Sequence, residues 1–419
     1  MHAVVIGGGI IGITSALELV ESGCEVTIVD RAGPTDGIAT NVNAGLISPG
    51  HALSWSSPAM VRRLPKVLIN RTPQLRVRAH LDPHLLRWGL AFLRNCTTER
   101  AASSSRARGR LGRRSAERLR HYHSALGLRT PLKQGMVFVH AEAGTLDAQF
   151  QALSVLREDG HALEIVDRDR LFAMEPSLIE SAMPIAGAVY HPDGITADSM
   201  AVAREILNVL AARGTRVVSA DVACLRRQGN RVVAAVTSTG DAVEGDVFVV
   251  ASGVHTESLL RRSGVRSPML YAAKGYGLTW HGIEDSVGPQ IGGLNETDLI
   301  AWSRHGDRLR ITGIAEFNRF DARIHQGDLD RVVQAACRLF PFLREADAPE
   351  VGFGYRPMTA DGLPKIGRID DNLFVNTGHG NLGWTMAFGS AEILAAAVRG
   401  EPMDEVARVL LPSGGPDRS

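Results

Sequence analysis

The order strand, glycine turn, helix, strand, acid at the start of the chain restricts its fold more than any other feature. His2-Ala3-Val4-Val5-Ile6 is an apolar run without polar alternation, as in a strand buried on both faces. Gly7-x-Gly9-x-x-Gly12 follows at once. Ile10, Ile13, Leu17 and Val20 then recur at helical spacing, Gly23 ends the helix, and Glu25 to Val29 forms a second strand with Asp30 at its end. This is the complete dinucleotide fingerprint. Gly7 permits the tight turn, Gly9 lets backbone approach a pyrophosphate, and Gly12 lets helix and strand pack closely. The helix start offers free N–H groups and positive partial charge to phosphate, and Asp30 can accept hydrogen bonds from a ribose hydroxyl. The chain therefore opens as a Rossmann-like α/β unit.

A chain of 419 residues exceeds what one core usually holds, so two domains are expected. A net charge of +1 argues against a nucleic-acid partner recognised through the whole surface. Cys24, Cys96, Cys224 and Cys337 lie far apart without a CxxC pair, which suits neither a metal site nor a disulfide scaffold. The first strand leaves no room for a signal peptide, and no apolar run approaches the ~20 residues of a membrane span. The expected location is the cytoplasm, with peripheral attachment at the inner face of the cell membrane left open.

Residues 33 to 55 read as loop and residues 56 to 130 as mostly helical, with Pro83 to Arg94 an amphipathic helix. Nine arginines crowd residues 94 to 120. They admit contact with an anionic membrane surface or partner, or a solvated helix face, and the second reading carries more weight. His121 and His123 point apart on a helix, so no metal pair is expected. A helix is read from Ile195 to Arg213 with Thr196 and Asp198 as candidate caps. Asp246 to Ser252 is again a buried strand, ending at Gly253. Short alternating segments between 266 and 349, such as Arg308 to Gly313, indicate an antiparallel sheet. The expected division is a discontinuous dinucleotide-binding domain (1–55, 185–265 and 350–419) and an α+β substrate domain (56–184 and 266–349).

Near the other end, VNTGHGNLGWTM (375 to 386) is a second strand, glycine turn and helix start. A flavin explains why one chain needs two such cradles. Its pyrophosphate takes one, and its pyrimidine edge, which turns negative on reduction, takes the other. Gly378, Gly380 and Gly383 would let backbone approach the ring. A nicotinamide enzyme has no use for this second cradle, so the expected cofactor is non-covalent FAD.

Six segments carry a resemblance to the FAD-dependent amino acid oxidoreductases that include D-amino acid oxidase, glycine oxidase and the bacterial D-amino acid dehydrogenases. They are VVIGGGIIG, NVNAGLISPG (41 to 50), DPHLLRWGLAFLRNCTTER (82 to 100), YAAKGYGLT (271 to 279), RPMTADGLPKIG (356 to 367) and NTGHGNLGWTMAFGS (376 to 390). The resemblance implies that Gly7, Gly9, Gly12 and Asp30 bind the ADP moiety, and that Asn43, Ala44 and Gly45 lie along the flavin ring. It implies that Val222 contacts adenine through its backbone, and that His379, Gly380, Leu382, Gly383 and Trp384 meet the pyrimidine edge. Gly253 is counted with these cofactor contacts.

Arg356 matches the arginine that grips the substrate carboxylate. The chemistry agrees, because a bidentate guanidinium holds an amino acid so that its Cα–H faces the flavin. Two departures concern the substrate. Asp298 stands where similar dehydrogenases carry a tyrosine, and Asn381 where they carry threonine. Asn381 and Tyr271, the latter as a replacement hydroxyl, therefore join Arg356 as catalytic candidates; Tyr276 and Tyr355 are further sources of a hydroxyl, and Lys274 of a cation.

The expected reaction is oxidative deamination of a D-amino acid by hydride transfer to flavin N5, giving an imine that hydrolyses. A quinone is the electron acceptor that the resemblance implies. Two alternatives remain at this level: a dehydrogenase of cyclic imino acids or secondary amines, favoured by a polar Asp298, and a flavoprotein subunit of a larger electron-transfer complex.

Overall fold

A computed structural model describes residues 1–31, 38–72, 75–78 and 82–412. Its first sheet has six strands: β1 (His2–Ile6), β2 (Glu25–Asp30), β8 (Arg216–Ser219), β12 (Val247–Val250), β18 (Lys365–Asp370) and β19 (Leu373–Thr377). The order is β18-β19-β12-β1-β2-β8, and only the edge strand β18 is antiparallel to its neighbour. This is the doubly wound arrangement expected from β1 and β2. The apolar runs of β1 and β12 are buried throughout or nearly so, which is why they show no alternation. A small antiparallel sheet of β9 (Val222–Gln228), β10 (Arg231–Thr237) and β11 (Ala242–Glu244) lies between β8 and β12 in the chain.

The large sheet contains β3 (Leu46–Ile47), β4 (Leu75–Val77), β5 (Lys133–His140), β6 (Glu164–Asp167), β7 (Gly187–Thr196), β13 (Leu270–Trp280), β14 (Gly292–Asn295), β15 (Ile300–His305), β16 (Arg308–Phe317) and β17 (Glu350–Thr359). Its path is β17-β13-β16-β15-β14-β5-β7-β3, with β4 on β16 and β6 on β7. The expected antiparallel pattern prevails, and the pairs β14/β5 and β16/β4 are parallel. Strands β7 and β17 pair within this sheet, although their segments sit beside first-sheet segments in the sequence. Thr196 ends β7, so the following helix is Ser199–Ala212 and Asp198 alone caps it, accepting from Met200 and Ala201 N–H. Residues 38–55 hold a helical turn, the short β3 and a 3-10 turn where loop was expected; residues 33–37 lie outside the described residues.

The arginine-rich segment is one helix, Thr98–Ala125. It packs against the helix Gly383–Arg399, with Leu111, Ala116, Leu119 and Tyr122 in the same core as the first helix, Ile10–Glu21. Its arginines are not a free cationic face. Arg118 forks onto Glu18 at 2.6 and 2.8 Å, Arg114 bridges Glu392 and Asp404, and Arg110 holds Asp159. Arg108 is buried and donates to Leu53 O and Asn381 Oδ1, both at 3.0 Å. The charges clamp this helix to its surroundings, an arrangement invisible in a local count of arginines.

Candidate functional site

A cavity of about 700 Å³ runs between the two large sheets. One end is built on the first helix. Gly7 adopts φ +117°, and a β-carbon at Gly12 would fall inside the Gly7 carbonyl oxygen, so neither position tolerates a side chain. Gly8 N–H and Arg31 N–H each donate to Asp30 at 2.8 Å, and burial pushes the Asp30 carboxyl up against those bonds. Ile10 N–H donates to Thr40 Oγ1 at 3.1 Å. Gly7, Gly9, Asp30, Val222 and Gly253 line this end; Gly12 packs behind it. The early N–H groups of the helix lack intrahelical partners; Thr40 takes that of Ile10, while Gly9 and Ile11 line the cavity where a diphosphate could approach.

The middle is bordered by the 40–46 segment. Asn43 does structural work: Oδ1 accepts from Gly45 N–H at 2.7 Å and Nδ2 donates to Thr40 O at 2.8 Å. Asn43 and Ala44 line the cavity, whereas Gly45 sits behind it at φ +69° against His305.

The far end is formed by the start of the helix Gly383–Arg399, which has no side-chain cap. Here β19 ends at Thr377 and Gly378 and Gly380 take φ +80° and +58°. His379, Gly380, Asn381, Leu382, Gly383 and Trp384 all line the cavity. His379 Nε2 and Trp384 Nε1 are buried without a hydrogen-bond partner, and both face a cavity in which a bound group could pair with them. Burial pushes the His379 imidazole down to about 3, so it is neutral at physiological pH. A β-carbon at Gly383 would meet nothing nearer than His379 Cβ at 3.7 Å. A methyl group there would project toward the cavity without a clash inside the protein. Two helix starts converging on one long cavity, with orphaned donors at the second, fit a dinucleotide whose ring is polar along one edge.

Arg356 enters from β17. Its guanidinium lies over Gly275 of β13, where a β-carbon would collide with it, and Nη1 donates to Ile314 O at 2.7 Å. Burial lowers its pKa to about 10, so it stays charged at neutral pH. Among the described residues it forms no ion pair. A buried cation without a counter-charge is unfavourable unless an anion joins it. Tyr355 also lines the cavity and its buried hydroxyl has no partner.

Other candidates lie elsewhere. Tyr271 is buried outside the cavity lining, donating to Asp82 Oδ2 at 3.1 Å and accepting from Arg319 N–H at 3.2 Å, so it is not a substrate hydroxyl. Tyr276 is engaged with Glu316 at 3.0 Å. Lys274 is fully buried against Glu316 and the carbonyls of Asp321 and Arg323. Asp298 takes Arg338 at 2.8 Å and Asn295 at 3.1 Å and does not line the cavity, which removes its support for an unusual polar substrate. No group of three or more metal-ligating side chains occurs among the described residues.

A cluster that sequence reasoning missed also lines the cavity: Glu296, His51 and Gln149. His51 Nε2 lies 2.7 Å, and Gln149 Nε2 2.6 Å, from Glu296 Oε1. Burial pushes the Glu296 carboxyl up, but His51 and Gln149 outweigh it and hold the group below the usual carboxylate range. The three residues come from three distant segments, so no spacing motif links them.

A family model, the DAO family of FAD-dependent oxidoreductases, matches residues 2–397. The chain belongs to this family. Among curated relatives of this FAD-dependent oxidoreductase, D-amino acid dehydrogenase 2 of Mesorhizobium japonicum is 38% identical over 410 residues, covering 96% of this chain and 97% of the relative. D-amino acid dehydrogenase of Rhizorhabdus wittichii is 35% identical over 407 residues, covering 96% and 97%. Among solved structures, iminodiacetate oxidase of a Chelativorans species superposes with TM-score 0.75 at 21% identity, covering 98% of this chain and 99% of that one. Glycine oxidase of Bacillus cereus gives 0.74 at 19%, covering 98% of each. At such identity the structural neighbours establish that the oxidoreductase shares their fold.

Proposed function

We propose that this oxidoreductase oxidises D-amino acids to imino acids, which water then converts to keto acids and ammonia. The observation that carries the reading is Arg356: a half-buried, charged guanidinium without a carboxylate partner, in the cavity that both glycine-rich helix starts share. An amino acid supplies the missing anion. The names of the curated relatives support the same substrate class.

FAD, when bound, supplies the two-electron acceptor. Gly7, Gly9 and the first helix start would hold its diphosphate, Asp30 a ribose hydroxyl, and Val222 the adenine side. The residues 379–384 would hold the pyrimidine edge, where the dipole of the last helix favours negative charge. Arg356 binds the substrate carboxylate with two parallel hydrogen bonds, and this fixes which face of Cα the hydrogen leaves from. Tyr355 offers its unpartnered hydroxyl to the same carboxylate or to the amine. Asn381 is held by Arg108 and positions the turn at the pyrimidine edge. No side chain needs to act as a base if the amine enters unprotonated. The test is anaerobic mixing of the yellow protein with D-alanine and other D- and L-amino acids. Bleaching by D-isomers is expected; a flavin that no amino acid reduces defeats the reading.

A quinone is proposed as the final acceptor, reached at a membrane surface. No helix of the described residues is long and apolar enough to cross a membrane. Peripheral contact finds support in the helices Pro58–Leu68 and Pro83–Asn95. Together with Ile69 they expose Val61, Leu68, Leu86, Leu90 and Leu93, interleaved with exposed Arg62, Arg63, Lys66, Arg87 and Arg94. Ala59, Met60 and Arg63 of the first of these helices also border the cavity, so that helix carries its apolar and basic residues beside it. Flotation with anionic vesicles checks it: an L86D/L90D variant should stay in the aqueous fraction while wild type floats.

A further inference from the structure

Glu296 is the acid that the proposed reaction leaves unused. It follows β14 at the cavity wall, and its own N–H is tied to Val139 O of β5 at 3.0 Å. Both neighbouring side chains, His51 and Gln149, converge on Oε1. No described residue donates to Oε2. Oε2 is accessible from the cavity, so it can accept a hydrogen bond from a donor on the ligand.

The sheet register decides which part of a ligand can reach it. The Arg356 guanidinium lies over Gly275 and bonds Ile314 O of β16. Ala301 pairs with Thr312 and Asn295 with Ile300, so Ile314 and Glu296 sit at similar heights with only β15 between their strands. Two strand steps amount to roughly 10 Å. The α-amine of a substrate held at Arg356 stays within about 3 Å of its own carboxylate by ordinary bond lengths, and does not span that gap. A side chain of four or five atoms beyond Cα extends roughly 6 Å and covers most of it, the hydrogen bonds at its two ends making up the rest. Its stem would run over apolar surface, because Phe138 packs against His51 with ring centroids 4.4 Å apart, and Leu294 and Leu299 lie near Glu296 in the sequence and line the same cavity.

We propose that Glu296, oriented by His51 and Gln149, recognises the cationic end of the substrate side chain, so that the preferred substrates are basic D-amino acids bearing a terminal ammonium or guanidinium. The inference rests on the proposed D-amino acid oxidation and narrows it. A role for Glu296 in merely orienting His51 would create no preference between a charged and a neutral side chain of equal length.

The test compares D-arginine with D-citrulline, and D-lysine with D-2-aminoheptanoic acid, each a neutral counterpart of equal length, in wild type and in E296Q, with D-alanine as the common reference. Wild type should favour each cation over its neutral partner in kcat/KM on the order of 10- to 100-fold, the range of one charged hydrogen bond. E296Q should bring both ratios close to one, and E296D should restore part of them. Ratios near one in wild type, or ratios that E296Q does not change, overturn the proposal. If E296Q fails to retain FAD, the wild-type ratios decide alone. Bleaching by D-alanine with ratios near one sinks only the recognition of a cation, whereas a flavin inert to every D-amino acid sinks the underlying reaction as well.

Discussion

The two glycine-rich helix starts look alike in sequence and differ in how the protein treats them. At the first, protein groups satisfy part of the backbone: Gly8 N–H by Asp30 and Ile10 N–H by Thr40. Gly12 is required by the Gly7 carbonyl alone. Neither helix has a side-chain cap from its N-cap residue, but at the second two buried ring nitrogens lack partners, and a β-carbon at Gly383 would meet only His379 Cβ, at an ordinary contact distance of 3.7 Å. The first start is a folding element that also offers phosphate contacts. The second leaves buried polar groups unpaired at the cavity wall. Glycine at a helix start thus has two meanings, close packing or reserved volume, and only the surroundings tell them apart.

Gly12→Ala is the harshest way to probe this contrast. Its β-carbon meets backbone, which cannot give, so a loss of more than about 4 kcal/mol is expected. Little folded, yellow protein should be recovered, by thermal melting and absorbance. Next in size, Arg356→Gln removes two charge-assisted hydrogen bonds worth about 1.5 to 3 kcal/mol each. We expect kcat/KM for D-alanine to fall by roughly 100-fold or more; a loss under tenfold would detach Arg356 from the substrate.

His379 supplies a pH signature at the second start. Its folded pKa is depressed, so the unfolded chain takes up the proton first. Stability from this residue is therefore full above about pH 6.5 and is lost as pH falls. Between pH 7 and 5 the loss should be about 2 kcal/mol in denaturant titrations, and His379→Gln should remove that part of the slope. His161 and His305, pushed down to about 4, act in the same direction.

The mildest change is Gly383→Ala. With no clash inside the protein and better helix propensity, the apoprotein should lose no stability. FAD affinity should nonetheless drop about tenfold, the loss of one well-placed contact. Equal effects of Gly12→Ala and Gly383→Ala on the apoprotein would erase the distinction between the two starts.

Much of the candidate site was legible before any coordinates, because its parts are local. A turn that needs Gly7, a strand end that presents Asp30 and a glycine-rich helix start at 378–383 are each set by a few adjacent residues. Arg356 was found by family resemblance and by the chemistry of carboxylates. Tyr271 misled because an aromatic in a family segment says nothing of its partner, and here Asp82, 189 residues away, takes the hydroxyl. The arginines of the long helix read as a surface because their acids, Glu18, Asp159, Glu392 and Asp404, are scattered along the chain.

The sequence by itself determined the class of fold, the two cradles and the need for a flavin, since hydrophobic runs and glycine turns act within a dozen residues. Tertiary structure alone decided which charges are spent on holding the molecule together and which remain free in the cavity. Arg108 and Arg118 are absorbed by packing, while Arg356 keeps only the Ile314 carbonyl and no carboxylate, and Oε2 of Glu296 has no donor among the described residues. The physical reason is that a charge is neutralised by whatever lies within a few ångströms in space, and sheet register, not sequence distance, sets that neighbourhood.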